Sequence, residues 1–103
     1  MFKAVAVIPV YDHEHAVGAV TAGVLAAGLP CILVDDGSRA SCAQVLDALA
    51  SGDARITLVR HAQNAGKGAA VMSGVARAQA DGYTHVLQID ADGQHDIGDI
   101  ARF

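Results

Sequence analysis

Short apolar runs alternate with longer amphipathic stretches along the whole chain. Residues 3–10, KAVAVIPV, are almost continuously apolar and predict a buried strand. From about His13 to Ala27 the apolar positions switch to helical spacing, with Val17, Val20 and Val24 in register and Leu25 alongside. Gly28 and Pro30 stop that helix. CILVDD, residues 31–36, predicts a second strand, and Gly37-Ser38 turns the chain. Ser41-x-x-Gln44 fits a capping box for a second helix carrying Val45, Leu46 and Leu49, which Gly52 ends. RITLVR, residues 55–60, predicts a third strand. A third helix is expected from about Gly68 to Ala80, with Val71, Met72, Val75 and Ala76 on its buried stripe. Thr84 to Ile89 predicts a fourth strand, and the spacing of Ile97, Ile100 and Phe103 predicts the start of a further helix.

The resulting order, β-α-β-α-β-α-β, has short connections and no repeat, linker or low-complexity segment. It predicts an α/β fold: a three-layer α/β/α sandwich, Rossmann-like, with a mostly parallel sheet and right-handed crossovers. In such sheets ligands bind outside the carboxyl ends of the strands. Those ends carry Tyr11, Asp12 and Glu14; Asp35, Asp36 and Ser38; His61, Asn64 and Lys67; and Asp90, Asp92, Gln94 and His95. The opposite turns carry blander residues, such as Gly28-Leu29-Pro30 and Asp81-Gly82-Tyr83. One functional edge is therefore expected, although polar residues favour loops in any fold.

Composition narrows the partners. A chain of 103 residues allows one small domain with one hydrophobic core. The net charge is -4 and no basic run exists, so a nucleic-acid partner is not expected. No apolar stretch reaches the roughly 18–20 residues of a membrane-spanning helix. The amino terminus runs straight into strand-like sequence, without signal-peptide architecture. Cys31 and Cys42 lack metal or redox spacing and read as buried thiols of a cytoplasmic protein.

The chemistry concentrates at the strand ends. Asp90 and Asp92 lie two apart, a spacing that in extended backbone puts both carboxylates on one side. Two hard oxygen donors suit Mg²⁺ or Mn²⁺, with water and substrate phosphate completing the shell. Gln94 could add a neutral oxygen; the plain alternative is a solvated acidic turn. Asp35-Asp36-Gly37-Ser38 could present a carboxylate to a base or a ribose, or be simply a turn. Asn64-Ala65-Gly66-Lys67-Gly68 looks like an anion-binding turn opening a helix. It is not a Walker A loop, because His61 replaces the first glycine and Gly68 replaces the Ser or Thr. The dinucleotide fingerprint is also missing from Pro9-Val10-Tyr11-Asp12. His13, His15, His61 and His85 have no zinc spacing and read as structural or surface residues.

Taken together, Ile8-Pro9-Val10-Tyr11, Val34-Asp35-Asp36-Gly37-Ser38, Asn64-x-Gly66-Lys67-Gly68-x-Ala70 and Asp90-Ala91-Asp92-Gly93-Gln94-His95 resemble family 2 glycosyltransferases in order and spacing. They are most similar to the polyprenyl- or dolichyl-phosphate sugar synthase branch. The resemblance covers essentially the whole chain and implies the nucleotide-binding, N-terminal part of a GT-A fold. It implies a nucleotide pocket lined by Pro9, Tyr11 and Glu14, although Asp12-His13-Glu14 departs from the family's Asn-Glu after the tyrosine. It implies that Asp36, with Asp35 as competitor, meets the base or ribose, and that Lys67, Asp90 and Ala91 lie near the nucleotide. Asp90 and Asp92, with Gln94, would hold Mg²⁺ or Mn²⁺ against the diphosphate of a UDP- or GDP-sugar.

The catalytic residue and the acceptor region, for a lipid phosphate or a glycan, are expected beyond residue 103, so the chain reads as truncated at its C-terminus. A lipid-phosphate acceptor would place the full-length protein at the inner face of a membrane. An unfinished sheet edge implies self-association. Two other readings stand beside this one. The first is a non-catalytic nucleotide-binding or assembly module of the same fold. The second is a sugar-phosphate nucleotidyltransferase, whose long basic, glycine-rich first loop is not matched by Pro9-Val10-Tyr11-Asp12.

Overall fold

The structure, a computed structural model, describes residues 1–92 and the backbone of 100–102. The element order is β1 (Ala4–Val10), α1 (Val17–Ala26), β2 (Cys31–Asp36), α2 (Ala40–Gly52), β3 (Ile56–His61), α3 (Lys67–Ala80), β4 (His85–Gln88) and β5 (Ile100–Arg102). The sheet runs β3-β2-β1-β4-β5. β1 pairs in parallel with β2 and β4, β2 pairs in parallel with β3, and β5 is antiparallel to β4. Three helices and a mostly parallel sheet make the expected three-layer sandwich.

The layers follow from side-chain alternation along the strands. Val5 and Val7 of β1 and Ile32 and Val34 of β2 face α3 through Ala70 and Ala78. Ala6, Ile8 and Val10 of β1 and Cys31 and Leu33 of β2 point the other way, to Val17, Val20 and Val24 of α1 and Cys42 and Leu46 of α2. Both faces of β1 and β2 are covered, which is why they read as continuous apolar runs. Cys31 and Cys42 are buried and free, and burial pushes the Cys31 thiol up to about 11. Among the described residues, no helix is long and apolar enough to cross a membrane.

Four expectations change. Helix α1 starts at Val17 rather than near His13, because Asp12 takes a left-handed turn at φ 58° and His13–Ala16 form turns. Ser41 does not cap α2: the helix begins at Ala40, and the Ser41 hydroxyl donates to the Glu14 carboxylate instead. The buried stripe of α3 is Ala70, Gly74 and Ala78, while Val71 and Val75 are half-buried and Met72 and Ala76 are exposed. The small residues win because α3 rides close on the sheet: a Cβ on Gly74 would lie 2.4 Å from Val7 Cγ1 and 3.0 Å from Val34 Cγ2. Finally, Ile100–Arg102 is a strand, not a helix, and pairs Leu87 with Ile100 and His85 with Arg102. The open backbone edge of β4 outweighs the helix-like spacing of Ile97, Ile100 and Phe103; residues 97 and 103 lie outside the described residues.

The close approach of α3 gives a direct test. Gly74→Val should destabilise the fold by about 1–3 kcal/mol through overpacking, measured as a lower midpoint of urea unfolding. A midpoint equal to that of the wild type would refute the close approach.

Candidate functional site

The switch point of the sheet lies between β1 and β4. From β1 the chain crosses first to β2 and then to β3, and returns to β4 on the other side. At the carboxyl ends of these strands lies a cavity of about 460 Å³. All four strand ends contribute to it, through the strand itself or the segment after it. The first turn supplies Pro9, Val10, Tyr11 and His13, and β2 supplies Asp36. The turn into α3 supplies Asn64, Gly66 and Lys67, with Ala70 behind them, and the segment after β4 supplies Asp90, Ala91 and Asp92.

The two neighbouring aspartates of β2 part company because successive strand residues face opposite sides. Asp35 turns towards α2, where its carboxylate accepts from Ser38 N at 2.8 Å and from Arg60 Nε at 2.8 Å. Arg60 also holds Asp47 at 3.0 Å and the Ala43 carbonyl at 3.2 Å, so Asp35 belongs to a clamp between β3 and α2.

Asp36 faces the cleft but is itself only 4% exposed at its side chain. Its Oδ1 accepts from Ala65 N at 2.9 Å and contacts His61 Nδ1 at 2.8 Å. Its Oδ2 accepts from Gly66 N at 2.9 Å and from Asn64 Nδ2 at 3.1 Å. Burial pushes the Asp36 carboxyl up, but the hydrogen bonds from His61, Ala65 and Gly66 together outweigh burial and leave it below its usual range. Two amides of the glycine-rich turn therefore already hold an anion, and that anion is the chain's own carboxylate. Gly37 lets the turns meet: at φ +75° it lies so close that a Cβ would stand 2.4 Å from Asn64 N.

Gly66, at φ 99°, precedes Lys67, the first residue of α3. Lys67 Nζ reaches across the cleft to Asp90 Oδ1 at 2.6 Å. Asp90 and Asp92 lie beyond the end of β4, with Ala91 and Asp92 in a turn, not in extended backbone as their spacing suggested. Both still line the cleft because the turn carries them there. Tyr11, 45% exposed, stands at the cleft wall with Pro9. The first turn is pinned to the second by Asp12, whose N–H donates to Ser38 Oγ at 3.1 Å and whose carboxylate accepts from Arg39 N at 2.8 Å.

The structure thus gathers Pro9, Tyr11, Asp36, Lys67, Asp90, Ala91 and Asp92 in one cleft. Glu14 and Asp35 do not line it. Glu14 is engaged by Ser41, whose hydroxyl holds the carboxyl below its usual range. Gln94 and His95 lie outside the described residues. His13 is a lining residue that spacing did not select; the signal for it was its place two residues after Tyr11, where the acid was sought. Among the described residues, no three His, Cys, Asp or Glu side chains gather as a metal cluster. Two carboxylates on a cleft wall, one already attracting an ammonium, nonetheless suit a cation that shares its shell with water and a phosphate ligand.

A family model, glycosyl transferase family 2, matches residues 5–103. The chain belongs to glycosyl transferase family 2. A similar relative is an undecaprenyl-phosphate 4-deoxy-4-formamido-L-arabinose transferase of Pseudomonas fluorescens, 35% identical over 93% of this chain and 29% of that protein. Another is an uncharacterized protein of Methanocaldococcus jannaschii, 27% identical over 95% of this chain and 44% of that protein. The chain therefore spans less than half the length of these two relatives. Its fold matches that of a mannosyltransferase from Pyrobaculum calidifontis in complex with GDP-Man and Mn²⁺, at a TM-score of 0.75 and 18% identity. That match covers 87% of this chain and 27% of the mannosyltransferase.

Two predictions follow from the Asp36 clasp. Gly37→Ala should destabilise the fold by more than about 1 kcal/mol, since it adds both a left-handed strain and a backbone clash; an unchanged thermal midpoint would contradict the packing of the two turns. The acid dependence carries a sign. Asp36 has a native pKa below its ordinary 3.8, so its stabilisation is complete above that value and is lost as pH falls below it through the depressed native value. Urea unfolding at stepped pH should show wild type above Asp36→Asn at neutral pH, with the gap closing below 3.8. A gap independent of pH would refute the charged clasp.

Proposed function

We propose that this chain is the donor-binding half of a metal-dependent glycosyltransferase that uses a nucleotide-diphosphate sugar. The observation that carries the reading is the meeting of Tyr11, Lys67, Asp90 and Asp92 in one cleft at the switch point of the sheet. Tyr11 and Pro9 offer an apolar wall on which a base can stack. His13, beside them, offers a ring nitrogen to the base or ribose. Lys67 brings a positive charge to the place where a diphosphate would meet Asp90.

Asp90 and Asp92 would hold Mg²⁺ or Mn²⁺. Bound there, the ion would act as a Lewis acid that offsets the negative charge growing on the departing nucleoside diphosphate. The carboxylates orient and do not attack. Lys67 screens the same charge from the opposite side of the cleft. The acceptor hydroxyl or phosphate, and any base that takes its proton, belong to the part of the family fold outside this segment. A lipid-phosphate acceptor is supported by the name of the Pseudomonas fluorescens relative, an undecaprenyl-phosphate sugar transferase; a place of the full-length protein at the inner face of a membrane is proposed along with it.

A second reading, a nucleotide-binding or assembly module of the same fold without turnover, uses the same cleft.

Calorimetric titration of this chain with UDP and with GDP, each with and without Mn²⁺, tests the donor site. Metal-dependent binding of one nucleotide is expected, and it names the base. Asp92→Asn should abolish the metal-dependent part while changing stability by no more than about 0.5 kcal/mol, because Asp92 is exposed. Equal loss with and without metal would overturn the role given to Asp92. Sugar transfer by the chain itself would remove the second reading.

A further inference from the structure

Asp36, His61 and Ser73 form a hydrogen-bonded chain that the donor reading leaves unexplained. His61 closes β3, and Ser73 lies in the second turn of α3. His61 Nδ1 is 2.8 Å from Asp36 Oδ1, and Nε2 is 2.7 Å from Ser73 Oγ. The ring is largely enclosed, with 20% of its side chain exposed. Because Asp36 is ionised and only accepts, Nδ1 carries the proton, and in the neutral ring Nε2 accepts from the Ser73 hydroxyl. The order of groups is that of a nucleophilic triad. The surroundings argue for another role. Ser73 does not line the cleft, so no substrate carbonyl is brought to it. The carboxylate spends its remaining capacity on Ala65 N, Gly66 N and Asn64 Nδ2.

The chain of contacts has a direction. Ser73 fixes the ring, the ring fixes one oxygen of Asp36, and the carboxylate fixes the two amides that immediately precede α3. Those amides set where α3 starts, and its first residue is Lys67, which spans the cleft to Asp90. We infer that His61, braced by Ser73, is a positioning residue for the donor: it orients Asp36 as an internal anion in the glycine-rich turn, and so places Lys67 for the diphosphate. This rests on the donor reading given above. It also assigns Asp36 to holding the turn rather than to contacting the base or ribose, since four protein donors surround its oxygens.

The test uses this chain with amide hydrogen exchange at Ala65 and Gly66 and calorimetric affinity for UDP and GDP with Mn²⁺. His61→Ala should speed exchange at both amides and weaken nucleotide binding, each by about tenfold or more. His61→Asn keeps an N–H donor near the position of Nδ1 and should restore both readouts, a rescue that mere loss of packing would not give. Ser73→Ala leaves the ring in place and should shift both readouts less, in the same direction; it carries the test if His61→Ala fails to fold. Unchanged exchange at Ala65 and Gly66 in these variants overturns this inference alone. Faster exchange with unchanged affinity overturns the positioning role. A wild-type chain that binds neither nucleotide overturns the donor reading and this inference with it.

Discussion

A carboxylate that is nearly fully buried must find donors for its oxygens, and Asp36 finds four. Meeting that demand ties the end of β2 to the end of β3 and to the start of α3. Much of the local sequence serves the same end. Gly37 removes the side chain that would keep the turns apart, and Gly66, at φ 99°, turns the chain from the clasp into α3. Asn64 adds a side-chain donor, and its Nδ2 also reaches the Asp36 carbonyl at 3.2 Å. The cleft inherits its shape from this clasp, because Lys67 begins where the clasp ends.

The second constraint is the closeness of α3 to the sheet. Ala70, Gly74 and Ala78 form a smooth stripe against Val7 and Val34, and no large side chain props the helix away. The amino terminus of α3 meets Asp36 at the end of β2 and, through Lys67, Asp90 after β4. Across the sheet, the larger residues of α1 and α2 fill the opposite face and build the bigger of the two cores.

Charge in the cleft is balanced locally. Asp90 meets Lys67 and Asp36 meets backbone amides, while the chain as a whole carries -4. The chain spans 44% and 29% of the lengths of its two relatives, so the cleft is part of a longer family fold.

The sequence by itself determined the layer order. Short apolar runs at residues 4–10 and 31–34 suit strands covered on both faces, and helical spacing between them points to a parallel sheet. It also determined which edge holds the polar chemistry, because the polar side chains that line the cleft come from the carboxyl ends of the strands and the turns after them. Tertiary structure decided what periodicity could not encode. Pleating sent Asp35 to Arg60 and Asp36 to the cleft, although the two are neighbours of the same type. Backbone proximity turned an apparent phosphate turn into a clasp around an internal carboxylate. A left-handed Asp12 delayed α1 and brought His13, not Glu14, to the cleft wall. The unpaired edge of β4 drew Ile100–Arg102 into a strand against their local spacing. In each case the deciding partner lay far away in sequence, where local pattern carries no information.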